Sequence, residues 1–162
     1  MIRLATRSDL AQITAIYNEA IDAKFQTAYT EPLQVADRVE WFEGHTERYP
    51  VFVYEADGAI AGWISVGPYR GGRNALRYCV ELSCFLSSAY QKQGIGSKLI
   101  RHALSACKEL GYRTAIGILL DRNTASTALM HRCGFELWGH LPGVADFDGE
   151  VCGHNYYGFI IS

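Results

Sequence analysis

Gln91-Lys92-Gln93-Gly94-Ile95-Gly96 stands between two segments of different periodicity. Before it, Leu76 to Leu86 is an apolar run of strand character. After it, Ser97 to Leu110 sets Leu99, Ile100, Ala103, Leu104, Cys107 and Leu110 on one helical face, with Gly111 as the stop. The order is strand, glycine loop, helix N-terminus. Such a loop turns several backbone N–H groups toward one anion, and the helix dipole adds partial positive charge there. Two glycines let the backbone approach that anion closely. The stretch therefore predicts a phosphate-bearing ligand.

Working outward, Ile2 to Leu4 reads as a short strand and Asp9 to Ala23 as a helix capped by Thr6 or Ser8. Leu33 to Glu43 continues as helix after the break at Glu31-Pro32. Val51 to Glu55 and Ala59 to Val66 form a hairpin around Asp57-Gly58. Gly67 to Asn74 reads as a loop. Beyond the glycine loop and its helix, Thr114 to Leu120 is a strand and Thr124 to Arg132 a short helix. Phe135 to Leu141 is a strand, Pro142 to Gly153 a loop, and Asn155 to Ile161 a last strand. The alternation predicts an α/β fold with a mixed central sheet flanked by helices. No repeat, linker or low-complexity segment divides the chain, and 162 residues suit one domain.

Composition narrows the function. A formal net charge of −2 offers no basic field for nucleic acid. No apolar run reaches the roughly 20 residues of a membrane span, and the first residues lack a signal peptide's apolar segment. The five cysteines, an odd number with no C-x-x-C pair, read as buried thiols of a reducing cytosol. No spacing of Cys, His, Asp or Glu suggests a metal site. The expectation is a cytoplasmic protein with a small-molecule partner.

Spacing then sorts the phosphate ligands. A P-loop needs G-x-x-x-x-G-K-[ST], which Gly94-Ile95-Gly96-Ser97-Lys98 does not supply. A dinucleotide fingerprint needs a third glycine where Leu99 stands. The pattern Q/R-x-x-G-x-G/A between a long strand and a helix fits, and it resembles the pyrophosphate loop of the GNAT acetyltransferases. Asn123-Thr124-Ala125-Ser126 with Leu129 and Cys133-Gly134-Phe135 resembles the second GNAT signature. Ile2-Arg3-Leu4-Ala5-Thr6, Ile16 to Ile21, Glu31-Pro32, Tyr49-Pro50-Val51, Gly67-Pro68 and Tyr78-Cys79-Val80-Glu81 resemble the phosphinothricin N-acetyltransferase-like branch, in the right order along nearly the whole chain.

The resemblance implies a GNAT fold whose splayed strands hold acetyl-CoA. It implies that the backbone of Cys84, Phe85 and Leu86 lies along the pantetheine arm. Gln91, Lys92, Gln93, Gly94, Ile95, Gly96 and Ser97 would wrap the pyrophosphate, with Asn123 and Ser126 also at the cofactor. It implies a small amino-acid-like amine as acceptor, direct attack on the thioester, and a homodimer. Lys92 and Lys98 read equally well as solvated surface residues.

An amine near lysine's pKa of ~10 is mostly protonated at neutral pH, so a base is needed. Glu81 is the candidate: it interrupts an apolar strand, where a carboxylate is costly to bury unless paired or functional. Alternation sets it on one face with Ser83 and Phe85. The N–H of Phe85 or Leu86 is the candidate oxyanion donor. Many family members carry a tyrosine acid four residues before the Gly-Phe pair; here that position is Met130, so the acid is left unassigned. For the acceptor, Arg70, Arg73 and Arg77 suit carboxylate or phosphinate, and Phe25, Tyr29, Tyr69 and Tyr78 are candidate walls. Asp148 to Cys152 departs from the basic or aromatic pattern of the branch. Two rivals stay open at this level: acetylation of a protein or peptide amine, and a CoA-binding sensor without activity.

Overall fold

The computed structural model describes residues 1–162. Its strands are β1 (Ile2–Leu4), β2 (Val51–Ala56), β3 (Ala59–Pro68), β4 (Cys79–Leu86), β5 (Thr114–Leu120), β6 (Glu136–Phe147) and β7 (Glu150–Ile160). The helices are α1 (Leu10–Asp22), α2 (Val39–Glu43), α3 (Ile95–Glu109) and α4 (Thr124–Arg132). All seven strands join one sheet in the order β1-β2-β3-β4-β5-β7-β6. Every pair is antiparallel except the central one, β4 with β5. A parallel pair needs a crossover, and α3 supplies it.

Alternation along the strands splits the core in two. Ile64, Val66, Val80 and Leu82 pack with Leu99, Ile100, Ala103 and Cys107 of α3 on one face. Val51, Val53 and Trp63 pack with Ile13, Ile16, Tyr17 and Ile21 of α1 on the other. The expected amphipathic faces of α1 and α3 are the buried ones.

Three expectations are corrected. The helix expected over Leu33 to Glu43 is a 3₁₀ turn at Val35–Arg38 followed by the short α2. Its stripe of Val35, Val39 and Phe42 is not buried, and the half-buried Trp41 packs on the core instead. The strand expected from Leu76 begins only at Cys79, because Asn74–Leu76 forms a 3₁₀ turn. The loop expected over Pro142 to Gly153 is mostly strand. β6 and β7 make a long hairpin closed by Asp148 and Gly149, whose positive φ values of 55° and 94° suit a tight type I′ turn. A register shift between Leu141 and Ala145 accommodates Pro142, Gly143 and Val144, so the proline costs no ladder donor.

One partly buried ion pair ties the N-terminus to the sheet. Asp9 takes two hydrogen bonds from the Arg3 guanidinium, at 2.7 and 2.9 Å, and one from the Thr6 N–H at 2.7 Å. Arg3 also reaches Glu55 on β2 at 2.8 Å. Arg3 is the main cause that lowers the Asp9 pKa from 3.8 to about 2. A depressed carboxylate stabilises the fold above its unfolded pKa and loses that contribution as pH falls through its folded pKa. Asp9→Asn is therefore expected to cost about 2 kcal/mol at pH 7. In denaturant titrations the difference from wild type should shrink from about pH 4 to about pH 2 and vanish below.

Candidate active site

The hydrogen-bonded register of β4 with β5 has three pairs: Cys79 with Thr114, Val80 with Ala115, and Glu81 with Ile116. Past Glu81 the strands part. β4 stays paired to β3 through Leu86 opposite Gly62, and β5 stays paired to β7 through Leu120 opposite His154. From Leu82 onward, then, β4 has one bonded edge and one open edge.

The ladder's alternation tells which residues face the opening. The Ser87 N–H bonds Ala61 of β3, and the Cys79 carbonyl accepts from Tyr69, so the odd-numbered residues address β3. The Tyr78 carbonyl accepts from Arg113 and Thr114 at the start of β5, so the even ones address the β5 side. Cys84 and Leu86 thus turn their N–H and C=O groups into the open edge. Phe85 spends its backbone groups on β3. This corrects one of the two expected oxyanion donors: the Phe85 N–H points away, and the Leu86 N–H remains. The Phe85 ring instead meets Tyr17 at 4.8 Å and Trp63 at 5.0 Å on the α1 face.

The glycine loop begins where this edge ends. Glu19 of α1 accepts from the Ser88 N–H at 2.7 Å and from the Ser87 hydroxyl at 3.2 Å, which fixes the loop's entry. Lys92 (φ 61°) and Gly94 (φ 77°) then adopt left-handed conformations. Left-handed residues set among right-handed ones form the concave N–H nest that binds anions. Gly94 is the N-cap of α3, and no side chain caps that end. The first amides of α3 thus lack a side-chain partner, the arrangement that suits an anion. Gly96 is buried, and a Cβ there would lie 2.9 Å from Leu129, so the second glycine serves α3–α4 packing as well. Gln91, Lys92 and Gln93 are exposed, and Gln93 makes a 3.4 Å bond to the Ala89 carbonyl.

Asn123 is buried and caps α4: its Oδ1 accepts from the Ser126 N–H at 3.1 Å. Its amide NH₂ has no partner within the chain. Met130 is 3% exposed and occupies the space beside Gly117, where a Cβ would lie 2.9 Å from its methyl group. A thioether has no proton to give, so this position supplies no acid. The Cys84 thiol has its pKa pushed up to about 12 by burial, which removes it as a nucleophile.

Glu81 lines a cavity of about 240 Å³ with Trp41, His45, Ser65, Gly67, Pro68 and Ser83. It makes no hydrogen bond or ion pair with the protein, and burial raises its pKa. The His45 Nδ1 lies 2.7 Å from the Trp41 carbonyl. Behind this wall Arg38 is only 7% exposed, and its Nε and Nη2 have no hydrogen-bond partner. Its guanidinium stacks over Trp41 at 3.7 Å and Tyr17 at 4.7 Å, so ring faces replace the missing anion. Trp41, His45 and Arg38 were not legible as site residues. They lie at least 36 positions from Glu81, and only the i, i+4 spacing of Trp41 and His45 hints that they share a face.

The expected acceptor residues are divided. Arg70, Arg73 and Arg77 line a second cavity of about 250 Å³, which meets the first at Pro68. Tyr78 lies against Arg77 at 4.4 Å and Arg113 at 4.6 Å, outside the Glu81 cavity; Arg77 is the first cause of its lowered pKa. Tyr29 is 52% exposed and meets Tyr17 edge-on at 5.7 Å. Phe25 is wedged between Phe147, at 4.9 Å, and the Arg122 guanidinium, at 3.8 Å. It braces the β6–β7 hairpin against the end of α1.

Residues 13–135 match the model of the acetyltransferase (GNAT) family. YwnH of Bacillus subtilis (strain 168) is 39% identical over 150 residues, covering 92% of this chain and 91% of its own. The L-methionine sulfoximine/L-methionine sulfone acetyltransferase of Salmonella typhimurium is 31% identical over 144 residues, covering 88% of this chain and 84% of its own. The phosphinothricin acetyltransferase of Sinorhizobium meliloti, solved in complex with AcCoA, superposes with a TM-score of 0.93 at 29% identity, covering all of this chain and 88% of that one. With a parted β4–β5 pair, an uncapped glycine loop at the start of α3 and these likenesses along most of its length, the chain belongs to the GNAT acetyltransferase family.

Proposed function

We propose that this chain, as one acetyltransferase domain over residues 1–162, transfers the acetyl group of acetyl-CoA to the primary amine of a small amino-acid-like acceptor. The acceptor is of the phosphinothricin, methionine sulfoximine or methionine sulfone type. The observation that carries the reading is Glu81. It is an unpaired carboxylate in a small cavity, at the last paired position of β4 before the strands part. A carboxylate so placed is stabilised by an incoming ammonium and accepts a proton from it.

The open edge of β4 and the loop at Gln91 to Ser97 fit a donor with an amide-bearing arm and a pyrophosphate. The Cys84 and Leu86 backbone would pair with the arm, the first amides of α3 with the phosphates, and the free Asn123 amide with the donor beyond. The donor supplies an activated acyl carbon and a thiolate leaving group. Direct attack is favoured because Cys84, its pKa raised by desolvation, stays a thiol. The 240 Å³ cavity suits a small amine better than a polypeptide segment. The adjoining arginine-lined cavity offers forks for a carboxylate or phosphinate.

A homodimer and a cytoplasmic location complete the reading. β6 is an edge strand that exposes Leu137, Trp138, Leu141 and Val144, and a long apolar edge invites pairing with another chain. The five cysteines are free thiols, as suits a reducing compartment. Light scattering after size exclusion should give twice the chain mass; a monomer at micromolar concentration overturns the dimer.

A panel assay with acetyl-CoA that detects released thiol tests the activity. Phosphinothricin, methionine sulfoximine and methionine sulfone should be turned over, and polyamines and peptides should not; turnover of peptides alone reverses the assignment.

Glu81→Gln should lower kcat about 10²-fold or more with acetyl-CoA binding nearly unchanged. Its effect on stability has the opposite sign. A carboxyl group whose folded pKa is raised favours the fold below its unfolded pKa and loses that contribution as pH rises through the folded value. Thermal melts should therefore find Glu81→Gln above wild type at pH 7, with the gap closing toward pH 4. A variant with unchanged rate across the pH profile removes Glu81 from the chemistry.

A further inference from the structure

The acceptor reaches the site as an ammonium and leaves as an amide, so its nitrogen gives up two protons. One must go before the lone pair is free, and one after the N–C bond has formed. Glu81 accounts for one. The cavity wall contains one other titratable side chain, His45.

The geometry of His45 fixes its chemistry. Its Nδ1 lies 2.7 Å from the Trp41 carbonyl oxygen, and a carbonyl only accepts. Nδ1 therefore carries the proton, and in the neutral ring Nε2 holds the lone pair. No group of the chain hydrogen-bonds Nε2. The ring stands edge-on to Trp41 at 4.7 Å, and the same indole lies under the Arg38 guanidinium at 3.7 Å.

The charged groups near His45 are Arg38, from the turn that leads into α2, and Glu81 of β4, which lines the same cavity. Burial is the first cause that lowers the His45 pKa below 6.5, and Arg38 adds to it; the hydrogen bond to Trp41 opposes them. Burial, with a smaller contribution from Arg38, thus favours the neutral imidazole, which is ready to accept.

We propose that His45 is the second proton acceptor of this site, taking on Nε2 the proton that leaves the acceptor nitrogen once its bond to the acetyl carbon has formed. This rests on the acetyl-transfer reading above. In sequence, the ammonium gives one proton to Glu81, and the freed lone pair forms the N–C bond. The C–S bond breaks with its electron pair on sulfur, and the second nitrogen proton passes to His45. One of the two protons ends on the thiolate and the other in water. Each turnover thus converts an ammonium and a thioester into an amide, a thiol and one free proton.

His45→Asn keeps a side-chain N–H for the Trp41 carbonyl but has no basic nitrogen. It should lower kcat about 10²-fold, leave KM for acetyl-CoA within about twofold, and remove the inflection below pH 6.5 from the kcat profile. Glu81→Gln should retain that inflection. Added imidazole should restore part of the rate to His45→Ala. Independently of activity, ¹⁵N NMR of the imidazole in the wild-type protein should find the Nδ1–H tautomer, still neutral at pH 6.5. That measurement also decides the matter if His45→Asn does not fold. An Nε2–H tautomer, a ring charged at pH 6.5, or a His45→Asn variant with unchanged kcat and pH profile overturns the role. Wild-type protein that releases no thiol with any amine overturns the acetyl-transfer reading instead.

Discussion

β4 and β5 are hydrogen-bonded for three residue pairs and then separate, and the rest of the site is arranged around that separation. A strand edge in the middle of a sheet is an unstable place to leave backbone groups unpaired, because buried N–H and C=O groups need partners. The fold tolerates the gap by keeping each strand tied on its far side, β4 to β3 and β5 to β7. What remains is a gap between two unpaired backbone edges, one on β4 and one on β5. At one end the gap runs into the amides that start α3. At the other stands Glu81, on the last pair before the opening.

The two faces of the sheet divide the labour. On the α3 side, side chains are apolar and tightly packed, and Met130 over Gly117 and Leu129 over Gly96 show how little room is left. On the α1–α2 side, the packing is aromatic and holds groups that a pure core would exclude: Glu81 without a partner, His45 with a single backbone bond, and Arg38 among Tyr17, Trp41 and Trp63. Each costs folding free energy on its own. On the proposed reading, the acceptor brings the missing charge. Rings rather than carboxylates surround Arg38. The Arg3–Asp9–Glu55 network holds the start of α1 against β2.

Reading the chain alone placed the local elements of the proposed donor site on the right segments. The glycine loop, its helix and the Asn123 cap are local features, encoded by residues adjacent in sequence and bounded by glycines whose backbone requirements are visible in the letters. Glu81 stood out for the same reason, as one carboxylate in an apolar strand. Errors fell where a local rule met a tertiary exception. Pro142 and Gly143 read as loop, yet a register shift carries them within a long hairpin. Val35, Val39 and Phe42 read as a buried stripe, yet the short α2 turns Trp41 inward.

The sequence by itself determined the α/β layering, the glycine loop that opens α3 and the lone carboxylate of β4 at Glu81, because each depends on periodicity or on neighbouring residues. Only the tertiary structure decided which backbone groups of β4 face the opening, since that follows from the ladder with β3. It alone brought Trp41 and His45 to Glu81, and set the arginines of the Gly67–Arg77 segment in a separate cavity. These are contacts between elements far apart in the chain, and a sheet must be assembled before they exist.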